Sequence, residues 1–213
     1  MAQRDWVEWH RDYDDPGSLL SRRLELVQWH LRAELERAPA GEIRLISLCA
    51  GQGRDVIGVL AGHPRRNDVR ARLVELDERN VAAARRAARK AGLDGVEVLR
   101  ADAGRTDACV GAVPARVVVA CGIFGNIAVS DIQATVAALP GLCATGALVL
   151  WTRHRRPPGL TTAIRSWLGE AGFGEEAFDV SADGFMSVGA HRLTGEPASL
   201  VPGRRLFTFT DRA

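Results

Sequence analysis

The feature that most constrains the fold is a regular alternation of apolar runs and helix-like segments that begins at Ile43. The run "IRLISLC" is followed by a glycine turn and by "RDVIGVLAG", which is typical of a helix. The runs "VRARLVELD", "VEVLRAD", "ARVVVACG" and "GALVLWT" predict four more strands, and "ERNVAAARRAARKAGL" and "TTAIRSWLGEAGF" predict helices. We therefore predict an α/β fold with a doubly wound, mainly parallel sheet and helices on both faces.

Both ends of the chain depart from this alternation. The segments "EAFDVSAD", "FMSVGAHRL" and "RRLFTFT" alternate in hydropathy and predict antiparallel C-terminal strands. Leucines and a valine at three- and four-residue steps predict a helix within residues 20–35, with Asp15 as its N-cap. We expect a single domain in which residues 1–40 are a helical lid or extension and residues 41–213 are Rossmann-like.

Three local signals place helix ends. Ser130 and Gln133 form the pattern of a capping box, and that helix is expected to stop near Pro140. Gly92 is expected to end the alanine-rich helix in a left-handed conformation.

Composition limits the classes of partner. The chain has 213 residues, is 46% hydrophobic, and has a formal charge of +2, which argues against nucleic acid or an anionic membrane as a partner. A signal peptide and an apolar stretch of membrane-spanning length are both missing from the sequence, so we expect a soluble cytoplasmic protein. The four cysteines show no metal-ligand spacing, so we expect buried free thiols and no metal.

The glycine turn "LISLCAGQGRD" lies where such sheets bind ligands, at the carboxyl end of the first strand. Gly51 and Gly53 allow close approach of the backbone, and the helix that follows offers free N–H groups to an anionic group. Asp77 closes the second strand, where a carboxylate accepts hydrogen bonds from both ribose hydroxyls. A dinucleotide fingerprint requires a third glycine where the chain has Val56, so NAD is disfavoured.

These motifs resemble the class I S-adenosylmethionine-dependent methyltransferase family. The segment "SLCAGQG" matches its glycine motif, with Ser47 at the acidic position and Cys49 at the first glycine. "LVELDERN" matches the acid after strand two, with Asp77 preferred and Glu75 as the second choice, and "LRADAG" matches the acid after strand three. "VVVACGIFGNI" and "LPGLCATGALVLWT" resemble later family segments, and the resemblance covers about residues 43 to 195.

The resemblance implies a cofactor site for S-adenosylmethionine. Its expected residues are Cys49, Ala50, Gly51, Gly53, Asp77, Asp102, Ala103 and Cys121. It also implies in-line methyl transfer to an O, N or C atom of a small-molecule acceptor. Two alternatives stay open: a related fold with non-methylating chemistry, such as aminopropyl transfer or a non-catalytic role, and, less favoured, a nicotinamide-dependent reductase.

Candidate acceptor-side residues lie after strands four and five and near the N-terminus. His154 is a candidate general base, although a solvated histidine in an arginine-rich loop is the alternative; the arginines of "RHRR" are a second candidate, for an acidic substrate. Phe124 is expected either to line the acceptor pocket or to pack on the sheet. The segment does not match the [DNS]-P-P-[YFW] pattern, which disfavours nucleobase and glutamine acceptors.

The aromatic N-terminal segment has two interpretations. Tyr13, a second candidate catalytic residue, together with Trp6, Trp9 and His10 has the composition of a lid that excludes water. Alternatively Trp6 and Trp9, with Trp29, anchor the helix on the sheet or join two subunits. The second of these interpretations predicts a homodimer.

Overall fold

The computed structural model describes residue 8, residues 10–157 and residues 159–210. Seven strands form one sheet: β1 (Ile43–Leu48), β2 (Val69–Glu75), β3 (Val96–Arg100), β4 (Ala115–Ala120), β5 (Cys143–His154), β6 (Phe173–Val180) and β7 (Met186–Leu193). The α-helices are α1 (Leu19–Arg37), α2 (Arg54–Leu60), α3 (Glu78–Lys90), α4 (Val129–Ala138) and α5 (Thr161–Glu170). Short 3₁₀ helices span His10–Asp14, Thr106–Cys109 and Leu139–Gly141.

The strand order is β3-β2-β1-β4-β5-β7-β6. Strands β1 to β5 are parallel, and β7 runs antiparallel between β5 and β6. The order reverses between β1 and β4, so the crevice for a ligand is expected at the carboxyl ends of these two strands. The predicted doubly wound, mainly parallel sheet with antiparallel C-terminal strands is confirmed.

Helix α1 is fixed to the sheet by apolar packing and by a buried carboxylate. Val27, Leu31 and Leu35 belong to the core cluster that also contains Leu45 of β1. The side chain of Glu34 is fully buried and accepts hydrogen bonds from three arginines: Arg116 at 2.7 Å, Arg192 at 2.7 Å and Arg37 at 3.3 Å. A buried carboxylate is tolerated only with such partners, so this cluster sets where α1 lies.

The prediction of a strand at "RRLFTFT" is wrong. Residues 201–210, here named the C-terminal strap, cross the carboxyl end of the sheet and make only two isolated bridges, Arg205 with Arg105 and Phe209 with Ile127. The backbone groups of the strap bond to loops and to a helix: Leu206 N–H donates to the Gly104 carbonyl at 2.7 Å. The adjacent apolar residues Leu206 and Phe207 are both buried against this end of the sheet, without pairing to an edge strand.

Two of the predicted helix N-caps differ from the structure. Helix α1 is capped by Ser18, whose hydroxyl accepts from the N–H of Ser21 at 3.0 Å, while Asp15 accepts from Gly17 in the preceding turn. Helix α4 has Ala128 as its N-cap, without a side-chain cap, so no capping box forms at Ser130.

The predicted helix ends near Pro140 and at Gly92 are both confirmed, since α4 stops at Ala138. Gly92 takes φ +62°, and the following Leu93 N–H donates back to the Ala88 carbonyl at 3.0 Å. This is the bond that a left-handed glycine permits at a helix end.

In the part of the chain that the structure describes, no helix combines the length and the apolar character that crossing a bilayer requires.

Candidate functional site

A cavity of about 330 Å³ lies at the carboxyl ends of β1 to β4, at the point where the strand order reverses. This volume falls within the usual range for small-molecule sites. The residues around it come from the 3₁₀ helix His10–Asp14, from α1, from the end of β2, from the turns after β1 to β4, from the first turns of α2 and α3, and from the strap. They are Tyr13, Arg23, Leu24, Val27, Cys49, Ala50, Gly51, Gln52, Arg54, Asp55, Glu75, Leu76, Asp77, Asn80, Asp102, Ala103, Cys121, Gly122, Phe207 and Phe209.

Most predicted cofactor residues therefore share one cavity. Gly53 is the exception among them: it does not line the cavity but caps α2 at φ +71°. A Cβ at Gly53 would lie 2.7 Å from side-chain carbons of both Ile57 and Leu73, so a larger residue would force these side chains to shift and would also be strained at this positive φ. Gly51 also has a positive φ, of 56°.

Cys49 adopts the same left-handed conformation as these glycines, with φ 53°. This conformation is unfavourable for a residue with a Cβ and explains why glycine suits this position. Ser47, at the position where an acid was expected, is buried, and its hydroxyl forms no hydrogen bond with any described residue. This hydroxyl therefore does not order the turn through a hydrogen bond to a described residue.

Glu75, the last residue of β2, orders the turn instead. One oxygen of its carboxylate accepts from the Gly51 N–H at 2.7 Å, and the other accepts from the N–H groups of Leu76 and Asp77 at 3.0 and 2.8 Å. The carboxylate thus lies on the cavity wall at the strand end, beside the glycine turn. The sequence ranked this residue second, because two acids that are two residues apart match the same motif.

Asp77 also lines the cavity, but its carboxylate is already engaged. It caps α3 by accepting from the Arg79 N–H at 2.8 Å, and it pairs with the Arg79 guanidinium at 2.8 Å. The hydrogen bond from the Arg79 side chain is the main cause that lowers the pKa of Asp77.

Asp102 follows β3, and the strap covers it. Its carboxylate accepts from the Gly104 N–H at 2.8 Å and pairs with Arg205 of the strap at 2.5 Å. Phe207 and Phe209 of the strap line the cavity beside Asp102 and Ala103. The strap therefore supplies the aromatic wall of this end of the cavity, a role that the sequence did not reveal.

A second group of polar residues lies at the β1 and β4 end of the cavity. Arg23 of α1 is only 7% exposed, and its guanidinium donates to the Tyr13 hydroxyl. Asp55, near the start of α2, accepts from the Val56 N–H at 2.8 Å. Burial raises the pKa of the Asp55 carboxyl, and the charge of Arg23 offsets part of that increase. Neither residue was singled out as a ligand contact from the sequence.

The 3₁₀ helix His10–Asp14 closes over the glycine turn. Asp14 pairs with Arg54 at 2.8 Å, and the Arg54 guanidinium lies 5.6 Å from the centre of the Tyr13 ring. Burial raises the pKa of the Tyr13 phenol, so this side chain is protonated at neutral pH. Trp6 and Trp9, also expected in this segment, lie outside the described residues.

The cavity thiols are not reactive nucleophiles. Burial raises the pKa of Cys121 to about 12 and raises that of Cys49 well above its usual range. Because only a thiolate attacks efficiently, both cysteines act as small wall residues at neutral pH.

His154 is not one of the residues that line the cavity. It ends β5 and stacks on Phe185, with ring centres 6.3 Å apart, and packs against Gly125. Of the adjoining arginines, Arg155 donates to the Gly184 carbonyl at 3.3 Å, and Arg156 lies over the Phe185 ring.

The structure also shows the surroundings of Phe124 and Trp29, for each of which the sequence allowed two interpretations. Phe124 is fully buried against Trp151, which confirms the packing interpretation over a pocket wall. Trp29 is 61% exposed, so it does not anchor α1 on the sheet.

Solved structures with this architecture include several methyltransferases. An O-methyltransferase family protein from Burkholderia thailandensis superposes with a TM-score of 0.66 at 19% identity, over 86% of this chain and 59% of that one. Magnesium protoporphyrin IX methyltransferase from Synechocystis, solved with bound S-adenosylmethionine, gives 0.66 at 12% identity, over 88% and 90%. This chain has the class I methyltransferase fold. A methyltransferase from Aquifex aeolicus shares it, with a TM-score of 0.60 at 14% identity, over 89% of this chain and all of that one.

The class I methyltransferase fold also carries other chemistry, because a structure described as a cyclase superposes with a TM-score of 0.57 at 14% identity, over 81% of each chain. No protein-family profile matches the sequence, and neither does any curated protein. The present chain spans 59% of the length of the Burkholderia protein.

Proposed function

We propose that this protein is an S-adenosylmethionine-dependent methyltransferase that acts on a small-molecule acceptor. The observation that carries the proposal is the cavity at the reversal of strand order, in which a glycine turn, the strand-end carboxylate of Glu75 and Asp102 lie on one wall. This is the arrangement of groups that a nucleoside with a polar extension requires. The presence of S-adenosylmethionine or its demethylated product in structures of the same fold supports this choice of ligand.

The adenosine end fits the β2 and β3 side of the cavity. We infer that Glu75 accepts hydrogen bonds from the ribose hydroxyls, because it lies at the strand end whereas the Asp77 carboxylate is held by Arg79. Asp102 would accept from the adenine amino group, next to Ala103 and the aromatic rings of the strap. Cys49, Ala50, Gly51 and Cys121 would contact the middle of the ligand. Gly53 acts indirectly by permitting the turn.

The two ends of the chain are proposed to form the cover that excludes water. Tyr13, within the extension of residues 1–40, and Phe209 of the strap both line the cavity of the Rossmann-like part. When bound, S-adenosylmethionine supplies an activated methyl group on a sulfonium. The protein would then act mainly by holding the acceptor in line with this group, which contributes roughly 7–11 kcal/mol in favourable reactions.

The protonation state of Tyr13 and the position of His154 limit which residue could act as a general base. The raised pKa of Tyr13 suits a hydrogen-bond donor to the acceptor rather than a base at neutral pH. His154 stays a candidate base only for an acceptor that extends from the cavity to the end of β5. An acceptor that carries no proton at its reacting atom would need neither Tyr13 nor His154 as a base.

A small acceptor is supported by the cavity size and by the near-neutral charge of the chain. Among the structural neighbours, the Synechocystis enzyme is described as acting on magnesium protoporphyrin IX. Another, from Salinibacter ruber, is described as an RNA methyltransferase, with a TM-score of 0.53 at 22% identity, over 83% of this chain and 95% of that one. The fold alone therefore does not choose the acceptor class, and the charge balance favours the small molecule.

Non-methylating chemistry in the same fold is the second candidate. Two observations favour it. Ser47 and Cys49 depart from the acid and the glycine of the methyltransferase glycine motif, and a cyclase is among the structural neighbours. A nicotinamide reductase is disfavoured, because the fully buried Val56 fills the place of the third glycine of a dinucleotide site.

Calorimetric titration tests the cofactor. S-adenosylmethionine and S-adenosylhomocysteine are expected to bind with dissociation constants on the order of micromolar, and NADH is not expected to bind. Binding of NADH alone, or of none of the three, would contradict the proposal.

Incubation with methyl-labelled S-adenosylmethionine and a cell extract tests the reaction and the acceptor class. The label is expected in the low-molecular-weight fraction, and the Glu75→Gln variant serves as the control for transfer by other proteins. Label that enters only RNA or protein would overturn the small-molecule assignment. Tight cofactor binding without any transfer of label would favour the non-methylating alternative.

A further inference from the structure

The C-terminal strap is firmly anchored as far as Phe207. Leu206 and Phe207 are each 1% exposed, and the Leu206 carbonyl accepts from the Thr135 hydroxyl at 3.1 Å. The strap passes so close to the loop after β3 that a Cβ on Gly104 would lie 2.3 Å from the Phe207 carbonyl oxygen. These contacts make the first part of the strap a continuation of the core.

The residues that follow, 208–210, are here named the latch, and they are held less firmly. Thr208 is exposed, and the other two residues are half-buried. The Thr208 N–H donates to the Asp131 carboxylate at 2.9 Å. The ring of Phe209 packs edge-on against that of Phe207, with ring centres 5.8 Å apart. Because each such contact contributes little net free energy, the latch can detach from its surroundings far more readily than the core can unfold.

The latch contacts the loop after β4, residues 122–127, which is here named the β4 loop. Both the N–H and the hydroxyl of Thr210 donate to the Asn126 carbonyl, at 2.8 and 3.1 Å. Phe209 forms an isolated bridge with Ile127. The closed latch therefore bonds directly to the far end of the β4 loop.

The β4 loop connects the latch to the cavity wall. The Asn126 side-chain amide donates to the Gly122 carbonyl at 2.7 Å. The Gly122 N–H donates to the Thr152 hydroxyl at 2.9 Å. Gly122 lines the cavity, and a Cβ built on it would meet no atom of the described residues within 4 Å, its chain neighbours aside. The open space in front of Gly122 gives an acceptor room to approach from the β4 side.

The latch also borders the space that a cofactor would fill, because Phe209 lines the same cavity. A ligand in the cavity buries apolar surface against the Phe209 ring only while the latch is closed. A ligand shifts a conformational equilibrium towards the state that it contacts better. Cofactor binding is therefore expected to favour the closed latch.

We propose, resting on the proposed function, that the latch closes when the cofactor binds and thereby holds the β4 loop in the position that receives the acceptor. Phe209 responds to the cofactor through its place in the cavity wall. Thr210 acts as a positioning residue, since it fixes Gly122 through Asn126. The cofactor therefore binds before the acceptor, because the β4 loop takes up this position only once the latch is closed.

Hydrogen exchange measured by mass spectrometry, with and without saturating S-adenosylhomocysteine, tests this coupling. Residues 49–55 of the glycine turn report cofactor binding, the latch reports its own closure, and the β4 loop reports the proposed response. In the wild-type protein the ligand is expected to slow exchange at least tenfold in all three segments, because each of them opens less often.

The Phe209→Ala variant breaks the link between the ligand and the latch. The ligand is expected to slow exchange less than threefold in the latch and in the β4 loop, while it still protects the glycine turn. Val201→Ala, at an exposed position near the start of the strap, is the matched control and should behave as the wild type does.

The Thr210→Pro variant breaks the link between the latch and the β4 loop, because proline has neither the N–H nor the hydroxyl that Asn126 accepts from. The ligand is expected to protect the glycine turn but not the β4 loop. Thr210→Ser keeps both donors and should restore the protection. Exchange in β1 to β5 shows whether Thr210→Pro keeps the fold; if it does not, Thr210→Val, which loses only the hydroxyl donor, replaces it and is expected to reduce the protection of the β4 loop at least threefold.

The outcomes separate this inference from the proposed function. Protection of the glycine turn without any change in the latch or the β4 loop would overturn the coupling and leave the cofactor assignment intact. Protection of the β4 loop that is equal in the wild type and in the Thr210 variant that lacks a donor would also overturn it, because the loop would then respond without the latch. Absence of protection in every segment of the wild-type protein would overturn both.

Discussion

At the scale of single residues, two acids compete for the ribose. Glu75 and Asp77 both line the cavity, but the Asp77 carboxylate caps α3 and pairs with Arg79. Glu75→Gln is expected to weaken S-adenosylhomocysteine binding by about 1.5–3 kcal/mol, the contribution of hydrogen bonds to a charged group.

Asp77→Asn is the matched variant, because asparagine is an equally good helix cap. It is expected to change the affinity less than threefold. Calorimetry on both variants decides the assignment, and a larger loss in Asp77→Asn than in Glu75→Gln would restore the original preference for Asp77.

The protonation of Asp55 predicts a pH dependence of binding. Burial raises the pKa of its carboxyl above the ordinary 3.8, while Arg23 partly opposes this shift. We expect the ammonium group of the cofactor's amino-acid end to lie beside Asp55, where it would favour the ionised carboxylate. The affinity for the cofactor should therefore be full above the raised pKa and should fall as the pH decreases through it. Tyr13 and Cys121, which face Asp55, stay protonated throughout, because their pKa values are raised.

Titrations with S-adenosylhomocysteine from pH 7 downward measure this dependence. The Asp55→Asn variant should bind more weakly and should lack the part of the pH dependence that Asp55 causes. An unchanged profile in this variant would show that Asp55 does not face the ammonium group.

At the scale of elements, the position of α1 matters because it carries Arg23 into the cavity. Glu34 ties this helix to β4 and β7 through Arg116 and Arg192, and hydrogen bonds to Glu176 and Glu34 raise the pKa of Arg192. Removing one partner of a buried ion pair leaves the others without compensation.

Glu34→Ala is therefore expected to lower the free energy of unfolding by about 3–5 kcal/mol, as measured by denaturant titration. Glu36→Ala, on the exposed side of the same helix, is the control and should change it by less than about 0.5 kcal/mol. Similar changes in both variants would show that the buried Glu34 cluster does not hold α1 in place.

The sequence predicted those elements whose pattern is local. The glycine turn, the strands β1 to β5 and the end of α3 at Gly92 follow from apolar runs and turn residues, and they are confirmed. The strap was misassigned because alternating hydropathy describes burial on one side, whichever group the backbone bonds to. The cap of α1 moved from Asp15 to Ser18 because several polar residues in a row all suit a cap.

The missed site residues depend on tertiary structure. Arg23 looks like a surface arginine of an amphipathic helix, and only the packing of α1 over α2 buries it. Asp55 carried a usable signal, since an acid directly after a glycine turn lies at the carboxyl end of the sheet. Glu75 was ranked below Asp77 because strand ends are uncertain by about two residues in a sequence-based assignment.

At the scale of the whole molecule, a buried histidine makes stability depend on pH. His191 of β7 is 1% exposed and accepts from the Trp151 indole N–H at 3.2 Å, so it is neutral in the folded protein. Burial lowers its pKa from 6.5 to about 4, although Glu175 partly opposes the shift. The unfolded chain therefore binds a proton at higher pH than the folded protein does.

Because the folded pKa is the lower one, the contribution of His191 is fully present above pH 6.5 and is lost as the pH falls from 6.5 towards 4. At the lower end of this pH range the free energy of unfolding is reduced by about 3 kcal/mol. Denaturant titrations across this range should show a shallower decline for His191→Gln, which keeps an acceptor for the indole. Equal slopes in both proteins would show that His191 is protonated in the folded state.

A crystal structure with S-adenosylhomocysteine would show whether one cavity binds the whole cofactor, from adenine to amino acid. We expect the ribose hydroxyls on Glu75, the adenine beside Asp102 and the strap, and the amino-acid end between Arg23 and Asp55. A ligand bound in the reverse orientation, or at another site, would contradict this expectation.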